Sequence, residues 1–188
     1  MEGGPAWSDW SLAPGDLEEV IRQIARYEQP EVVELGAGHG TIALARSVAE
    51  RAGRLTSVEH DPIWVARVGD QLEAGGLAAV ARMVHAPLGR HPLAEEGALW
   101  YSEEALTQLP PGIELLLVDG PPANLSGMEQ GRAPALEALR DRLAPGATVV
   151  LDDVHRPGER AIIERWETRT PFRFQVREGG RIAVGSAP

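Results

Sequence analysis

The run Val32-Val33-Glu34-Leu35-Gly36-Ala37-Gly38-His39-Gly40-Thr41 places three glycines two apart between an apolar segment and a helical pattern. Glycines there permit a tight turn with positive φ and let a ligand lie against bare backbone at a helix N-terminus. A loop that cradles a pyrophosphate would read G-x-G-x-x-G. Here the third glycine falls one residue early and Thr41 takes the sixth position. The tighter loop suits a ligand without a diphosphate. About 20 residues on, Val58-Glu59-His60-Asp61 closes a second apolar run, where an acid is placed to accept from both ribose hydroxyls of a nucleoside. Loop and acid together predict a nucleoside over the carboxyl ends of the first two strands. The plainer alternative is a tight turn and a solvated acid.

A second constellation is acidic. Leu115-Leu116-Leu117-Val118 ends in Asp119, and Val149-Val150-Leu151 ends in Asp152-Asp153. In a parallel sheet both ends open onto one crevice. Three carboxylates converging there repel one another unless a cation or a proton compensates them. Oxygen-only ligation of this kind suits magnesium, calcium or manganese. Alternatively Asp119 bonds the cofactor or a loop amide, and Asp152-Asp153 cap the helix near Pro157 to Arg160. His155, two residues past Asp153, is placed on the same rim as a candidate base. Arg132, at the end of the long Gly120–Pro134 loop, is placed to bind a carboxylate or to anchor that loop.

Composition removes other chemistries. The chain has no cysteine, so thiolate nucleophiles, disulfides and Cys-ligated zinc are excluded. All 18 basic residues are arginine, which excludes a lysine base, Schiff base or P-loop lysine. Arginine is too basic to accept a proton near neutral pH. A net charge of -10 without a basic stripe argues against a nucleic-acid partner. No apolar run approaches the roughly 18 residues of a membrane span. The opening residues lack a secretory pattern, so a cytoplasmic location is expected.

The elements that must position these residues alternate. Candidate strands at Val32–Leu35, Arg54–Glu59, Arg82–His85, Leu115–Asp119 and Thr148–Asp152 are separated by amphipathic helical stretches. This implies βαβ units, a parallel sheet and helices on both faces. The tail departs from the rule: Phe172 to Val176 alternates with period two, Glu178-Gly179-Gly180 marks a turn, and Arg181 to Gly185 is apolar again. A hairpin there makes the last strand antiparallel. Trp166 belongs to a core-facing helix stripe. Trp7, Trp10 and the pair Trp100-Tyr101 are candidates for an apolar wall against a flat acceptor. His39 is expected to be structural, His85 to flank a base, and His91 to be solvated.

The E-L-G-x-G-x-G loop and Glu59 resemble the S-adenosylmethionine-dependent methyltransferases of the Rossmann-like class, over about residues 12–186. The resemblance implies an α/β, doubly wound, seven-stranded sheet, mostly parallel with an antiparallel last strand. It implies Glu34 near the methionine amino group, with Gly36, Ala37, Gly38 and Gly40 beneath the cofactor. It also implies Glu59 on the ribose, His60 and Ala86 beside the adenine, and Asp119 at the cofactor. The strand-end acids resemble those of the catechol and caffeoyl-CoA type of metal-dependent O-methyltransferases, which implies Asp119, Asp152 and Asp153 as ligands of Mg2+. That family places a lysine base three residues after the strand-four Asp, where this chain has Pro122. Asp119 and His155 are then the candidate catalytic residues. The D-G-P-P run also departs from the Asn/Asp-Pro-Pro-Tyr signature of amino-group methyltransferases. The expected division is a leader or lid over 1–12 and a cofactor domain over 13–188. The expected activity is O-methylation of a small-molecule acceptor by a possible homodimer. The alternatives are N-methylation, or cofactor binding without methyl transfer.

Overall fold

Seven strands assemble one sheet in a computed structural model that describes residues 12–187. They are β1 (Glu31–Leu35), β2 (Arg54–Glu59), β3 (Ala81–His85), β4 (Ile113–Val118), β5 (Leu143–Leu151), β6 (Arg173–Val176) and β7 (Ala183–Ser186), in the order β3-β2-β1-β4-β5-β7-β6. The first five run parallel, and β7 is antiparallel to both β5 and β6. The expected antiparallel last strand is therefore present.

Both faces of the sheet are buried, because neighbouring residues on each strand are apolar and point opposite ways. Val33, Leu35, Leu116, Val118, Val149 and Leu151 face one core. Val32, Leu115, Leu117 and Val150 face the other. Helices α1 (Pro14–Ile24), α2 (Thr41–Ala49) and α3 (Pro62–Ala74) supply Val20, Ile24, Leu44, Val48, Val68 and Leu72 to the second core. Helices α4 (Glu103–Leu106), α5 (Pro134–Leu139) and α6 (Pro157–Arg169) supply Leu106, Leu136, Leu139, Ile162 and Trp166 to the first. The start of α3 is set by Pro62 and by the Asp61 carboxylate, which accepts from the Ile63 amide at 2.8 Å.

β5 departs furthest from its expected bounds, Thr148–Asp152. β5 begins at Leu143, where the Leu-Ala-Pro-Gly sequence reads as a turn. Its register against β4 shifts between Ile113 and Leu115, and Gly146 takes a positive φ of 75°. The extra residues bulge out of the ladder. Tyr27 secures them from α1's end by bonding the Gly146 carbonyl and the Thr148 hydroxyl.

Trp166 anchors the first core. It is fully buried, its indole donates to the Ala133 carbonyl at 2.8 Å, and its ring lies 5.5 Å from that of Phe174. Trp166→Ala should cost about 3–5 kcal/mol in urea unfolding; a loss below about 1 kcal/mol would contradict this packing. Among the described residues, no helix is long and apolar enough to cross a membrane.

Candidate active site

The carboxyl ends of β1, β2, β4 and β5 open onto one cavity of about 540 Å3. That size falls within the roughly 300–1,000 Å3 of small-molecule sites. The glycine loop forms its floor. Gly36 lies between β2 and the end of β4: its amide donates to the Val58 carbonyl of β2 at 2.8 Å, and its φ is +94°. A Cβ there would lie 2.8 Å from the carbonyl of Asp119 and the amide of Gly120. Only glycine fits both demands. Gly36, Ala37, Gly38 and Gly40 all line the cavity.

Glu34 sits beneath this loop at 2 % exposure. Its Oε2 accepts from the Thr41 hydroxyl at 2.8 Å and the Ser57 hydroxyl at 2.6 Å, and Thr41 in turn accepts from the Gly38 amide at 2.9 Å. Burial, only partly offset by these hydroxyls, pushes the carboxyl up to about 7. Between an unfolded value near 4.5 and about 7, the folded protein thus holds a proton that the unfolded chain has lost. This contribution to stability is complete below pH 4.5 and is lost as pH rises through about 7, by on the order of 3 kcal/mol. Glu34→Gln should flatten that decline in urea titrations of the ligand-free protein. A wild-type slope persisting in the mutant contradicts the assignment.

Glu59 is 5 % exposed. Its Oε1 accepts from the His60 and Asp61 amides, both at 2.8 Å, and lies 2.6 Å from His60 Nδ1. The hydrogen bond to Glu59 raises the His60 imidazole above its ordinary range. Turning the chain back over the carboxylate in this way fixes the Glu59 rotamer. Its second oxygen accepts no hydrogen bond from the described residues. Beside it, Trp64 packs edge-on against His39, ring centres 5.4 Å apart, with the Arg67 guanidinium 5.0 Å from its ring.

The acidic cluster converges as the sequence implied. Ligand oxygens of Asp119, Asp152 and Asp153 all lie within 4.8 Å of one another, close enough to share one cation. Burial raises the carboxyl groups of both Asp119 and Asp152, and their acidic neighbours raise them further. Arg132, buried at 3 %, stands among them. Both expectations for this residue are seen within the chain: its Nε anchors the loop by donating to the Pro121 carbonyl at 3.2 Å, and its Nη2 lies 3.3 Å from the Asp119 carboxylate.

Other expected residues lie elsewhere. His155 is exposed and does not line the cavity: Asp153 adopts a positive φ of 61°, and the next amide, Val154, turns away to bond the Arg181 carbonyl at 2.7 Å. Ala86 is fully buried behind the wall, its amide donating to the Glu59 carbonyl at 2.8 Å. His85 bonds the His60 carbonyl at 3.1 Å instead of facing the cavity. His91 is not solvated; it accepts from the Leu93 amide and approaches Glu103 at 3.4 Å. Trp100 is fully buried in the core, so it offers no wall to an acceptor. A short ribbon pairing Leu88–Gly89 with Trp100–Tyr101 folds it inward. Tyr101 does line the cavity, and its buried hydroxyl has no hydrogen-bond partner among the described residues. Trp7 and Trp10 lie outside the described residues. Sequence reasoning missed Thr41 and Ser57 as supports of Glu34. The legible signal was a serine in an apolar strand, directly opposite Glu34 in the register.

A seven-stranded sheet with this antiparallel edge, a glycine loop after β1 and an acid after β2 defines a Rossmann-like methyltransferase. The chain belongs to the family described as the methyltransferase domain, which it matches over residues 33–154. Among solved structures it is similar to an O-methyltransferase from Bacillus cereus in complex with SAH, at 16% identity and a TM-score of 0.68 over 96% of this chain and 84% of that one. A methyltransferase from Geobacter sulfurreducens gives 18% identity and a TM-score of 0.64 over 95% and 80% of the two chains. The O-methyltransferase TomG from Streptomyces achromogenes, in complex with SAM, gives 17% and 0.61 over 95% and 82%. At these identities the likeness is one of fold. No curated protein sequence matches the chain.

Proposed function

We propose that this chain transfers a methyl group from S-adenosylmethionine to an oxygen atom of a small hydroxylated acceptor. The observation that carries the reading is the pairing of a bare glycine floor with Glu34, Glu59 and Asp119 around one cavity. Such a lining suits a ligand that is neutral along its nucleoside and positive at its amino and sulfonium groups. The solved O-methyltransferases from B. cereus and S. achromogenes, with SAH and SAM respectively, support it by their folds.

In this reading residues 13–188 form the cofactor domain and residues 1–12 its leader. Glu34 receives the ammonium group, and Gly36 to Gly40 lie under the adenosyl chain. The free oxygen of Glu59 takes the ribose hydroxyls, with His60 beside the adenine. Bound there, S-adenosylmethionine supplies an electrophilic methyl carbon. Asp119, on the cavity wall, accepts the acceptor's hydroxyl proton as the new O–C bond forms and the S–C electron pair stays on sulfur. Its raised carboxyl makes it a stronger base than an ordinary aspartate once ionised. Holding both partners in line removes the entropy of encounter. Pro122 and Ala123 line the same cavity, and in this reading they face the acceptor.

The test is incubation of the full chain with methyl-labelled S-adenosylmethionine and a panel of phenols, catechols and hydroxylated metabolites. Label should appear on oxygen, and Asp119→Asn should lower kcat by about 100-fold or more. Tight cofactor binding without turnover on any hydroxyl compound would reject the oxygen assignment.

A further inference from the structure

Resting on the methyl-transfer reading, we propose that Arg132 occupies the place of a divalent cation in the acidic cluster, so that this chain works without metal and Arg132 positions Asp119 toward the acceptor.

The need for a cation is plain. Asp119, Asp152, Asp153 and Glu159 gather their carboxylates in one poorly solvated region, with side-chain exposure of 16% for Asp119, 7% for Asp153 and 1% for Glu159. Uncompensated, such a group is too costly to bury. The protein supplies the compensation itself. Arg132 Nη2 lies 3.3 Å from Asp119 Oδ1, while its Nη1 lies 3.3 Å from Asp153 Oδ2 and 3.8 Å from Glu159 Oε1. The same two nitrogens donate to the main-chain carbonyls of Asp119 at 2.9 Å and Asp152 at 3.3 Å. One guanidinium therefore ties the end of β4 to the end of β5, which is the bridge a shared metal ion would make.

Arginines already occupy three of the roughly four acceptor sites of the Asp153 carboxylate. Besides Arg132, its Oδ2 is 2.9 Å from Arg156 and its Oδ1 is 3.2 Å from Arg181. Magnesium needs near-octahedral oxygen ligands at about 2.0–2.1 Å. An ion bonded to Asp119 Oδ1 or Asp153 Oδ2 would stand within about 5 Å of the guanidinium and be repelled by it. Asp152 Oδ1 and Glu159 Oε1 are buried without a hydrogen-bond partner among the described residues, and Glu159 Oε1 faces Arg132 and Arg156 at 3.8 and 3.7 Å. A carboxylate oxygen of Asp152 lies within 4.8 Å of the Asp119 and Asp153 oxygens. Arg132, Arg156 and Arg181 together face this acidic cluster, while Asp16 approaches Arg181 at 3.3 Å from the outer side.

Arg132 is delivered rigidly. Its loop lies so close to α6 that a Cβ on Gly158 would overlap the Glu129 carbonyl. Met128 is buried and its sulfur accepts from the Leu99 amide at 3.2 Å. The guanidinium thus fixes the Asp119 carboxylate at the cavity wall.

The experiment is electron paramagnetic resonance of Mn2+ titrated into the full chain, with and without S-adenosylmethionine. The wild type should leave the free-ion signal unchanged. Arg132→Gln, checked for folding by circular dichroism, should bind one Mn2+ with affinity raised by about tenfold or more, because the carboxylates lose their internal cation. Arg132→Lys should remain blind to the ion. One Mn2+ bound by the wild type and lost in Asp152→Asn overturns the proposal, and so does a folded Arg132→Gln that gains no affinity. Should Arg132→Gln not fold, the wild-type titration with the Asp152→Asn control still decides. Calorimetry with S-adenosylmethionine on the same samples separates the two readings: absent cofactor binding rejects the proposed function, whereas the Mn2+ result stands on its own.

Discussion

Gly36→Ala should destabilise the protein by about 2–5 kcal/mol and abolish cofactor binding. Two separate costs add. The backbone is held at φ +94°, which an L side chain rarely adopts, and the new methyl would press into the Asp119 carbonyl and the Gly120 amide at 2.8 Å. Those atoms belong to the end of β4 and cannot step aside without moving Asp119. Gly38→Ala is the control, because nothing lies within 4 Å of a Cβ there and its φ is ordinary. It should leave stability within about 0.5 kcal/mol of wild type while still weakening binding, since the added methyl enters the floor of the cavity. Urea unfolding and cofactor titration of both variants check the pair. Equal losses of stability would mean that the loop is merely a turn.

Glu59→Gln should weaken S-adenosylmethionine binding by on the order of 100-fold or more at nearly unchanged stability. The amide oxygen of glutamine can still accept from the His60 and Asp61 amides, so the local turn survives. What is lost is the anionic oxygen that accepts no bond from the described residues and is free for the ribose hydroxyls. Charge-assisted hydrogen bonds contribute about 1.5–3 kcal/mol each. A mutant that binds as tightly as wild type would remove Glu59 from the site.

The sheet was legible because its apolar runs end in polar residues at the points where strands leave the core. Glu59, Asp119 and Asp152 each mark such an end, and the period-two tail marks the antiparallel edge. The glycine loop was legible for a local reason: a turn that must admit a positive φ and a close backbone crossing has almost no alternative residue. Arg132 was harder. Its partners lie 13 and 21 residues away in sequence, at Asp119 and Asp153, and only tertiary packing of the loop against α6 brings them together. His155 misled for the opposite reason, since sequence proximity to Asp153 says nothing once the backbone turns through φ 61°. Trp100 and Tyr101 follow a polar, irregular stretch and so looked superficial. Their ribbon partner, Leu88–Gly89, sits eleven or more residues earlier and carries no pattern that announces the pairing. The opening of β5 was hidden by a bulge whose Pro and Gly spell a turn.

The most direct measurement is isothermal calorimetry of the full chain with S-adenosylmethionine, repeated at several pH values, with a nicotinamide dinucleotide as the comparison ligand. One saturable site per chain is expected for the sulfonium compound. Its affinity should rise as pH increases toward about 7, where Glu34 becomes the carboxylate that an ammonium group requires, and then level off. The dinucleotide should give no saturable heat. Saturable binding of the dinucleotide with none of S-adenosylmethionine would contradict the account at its root.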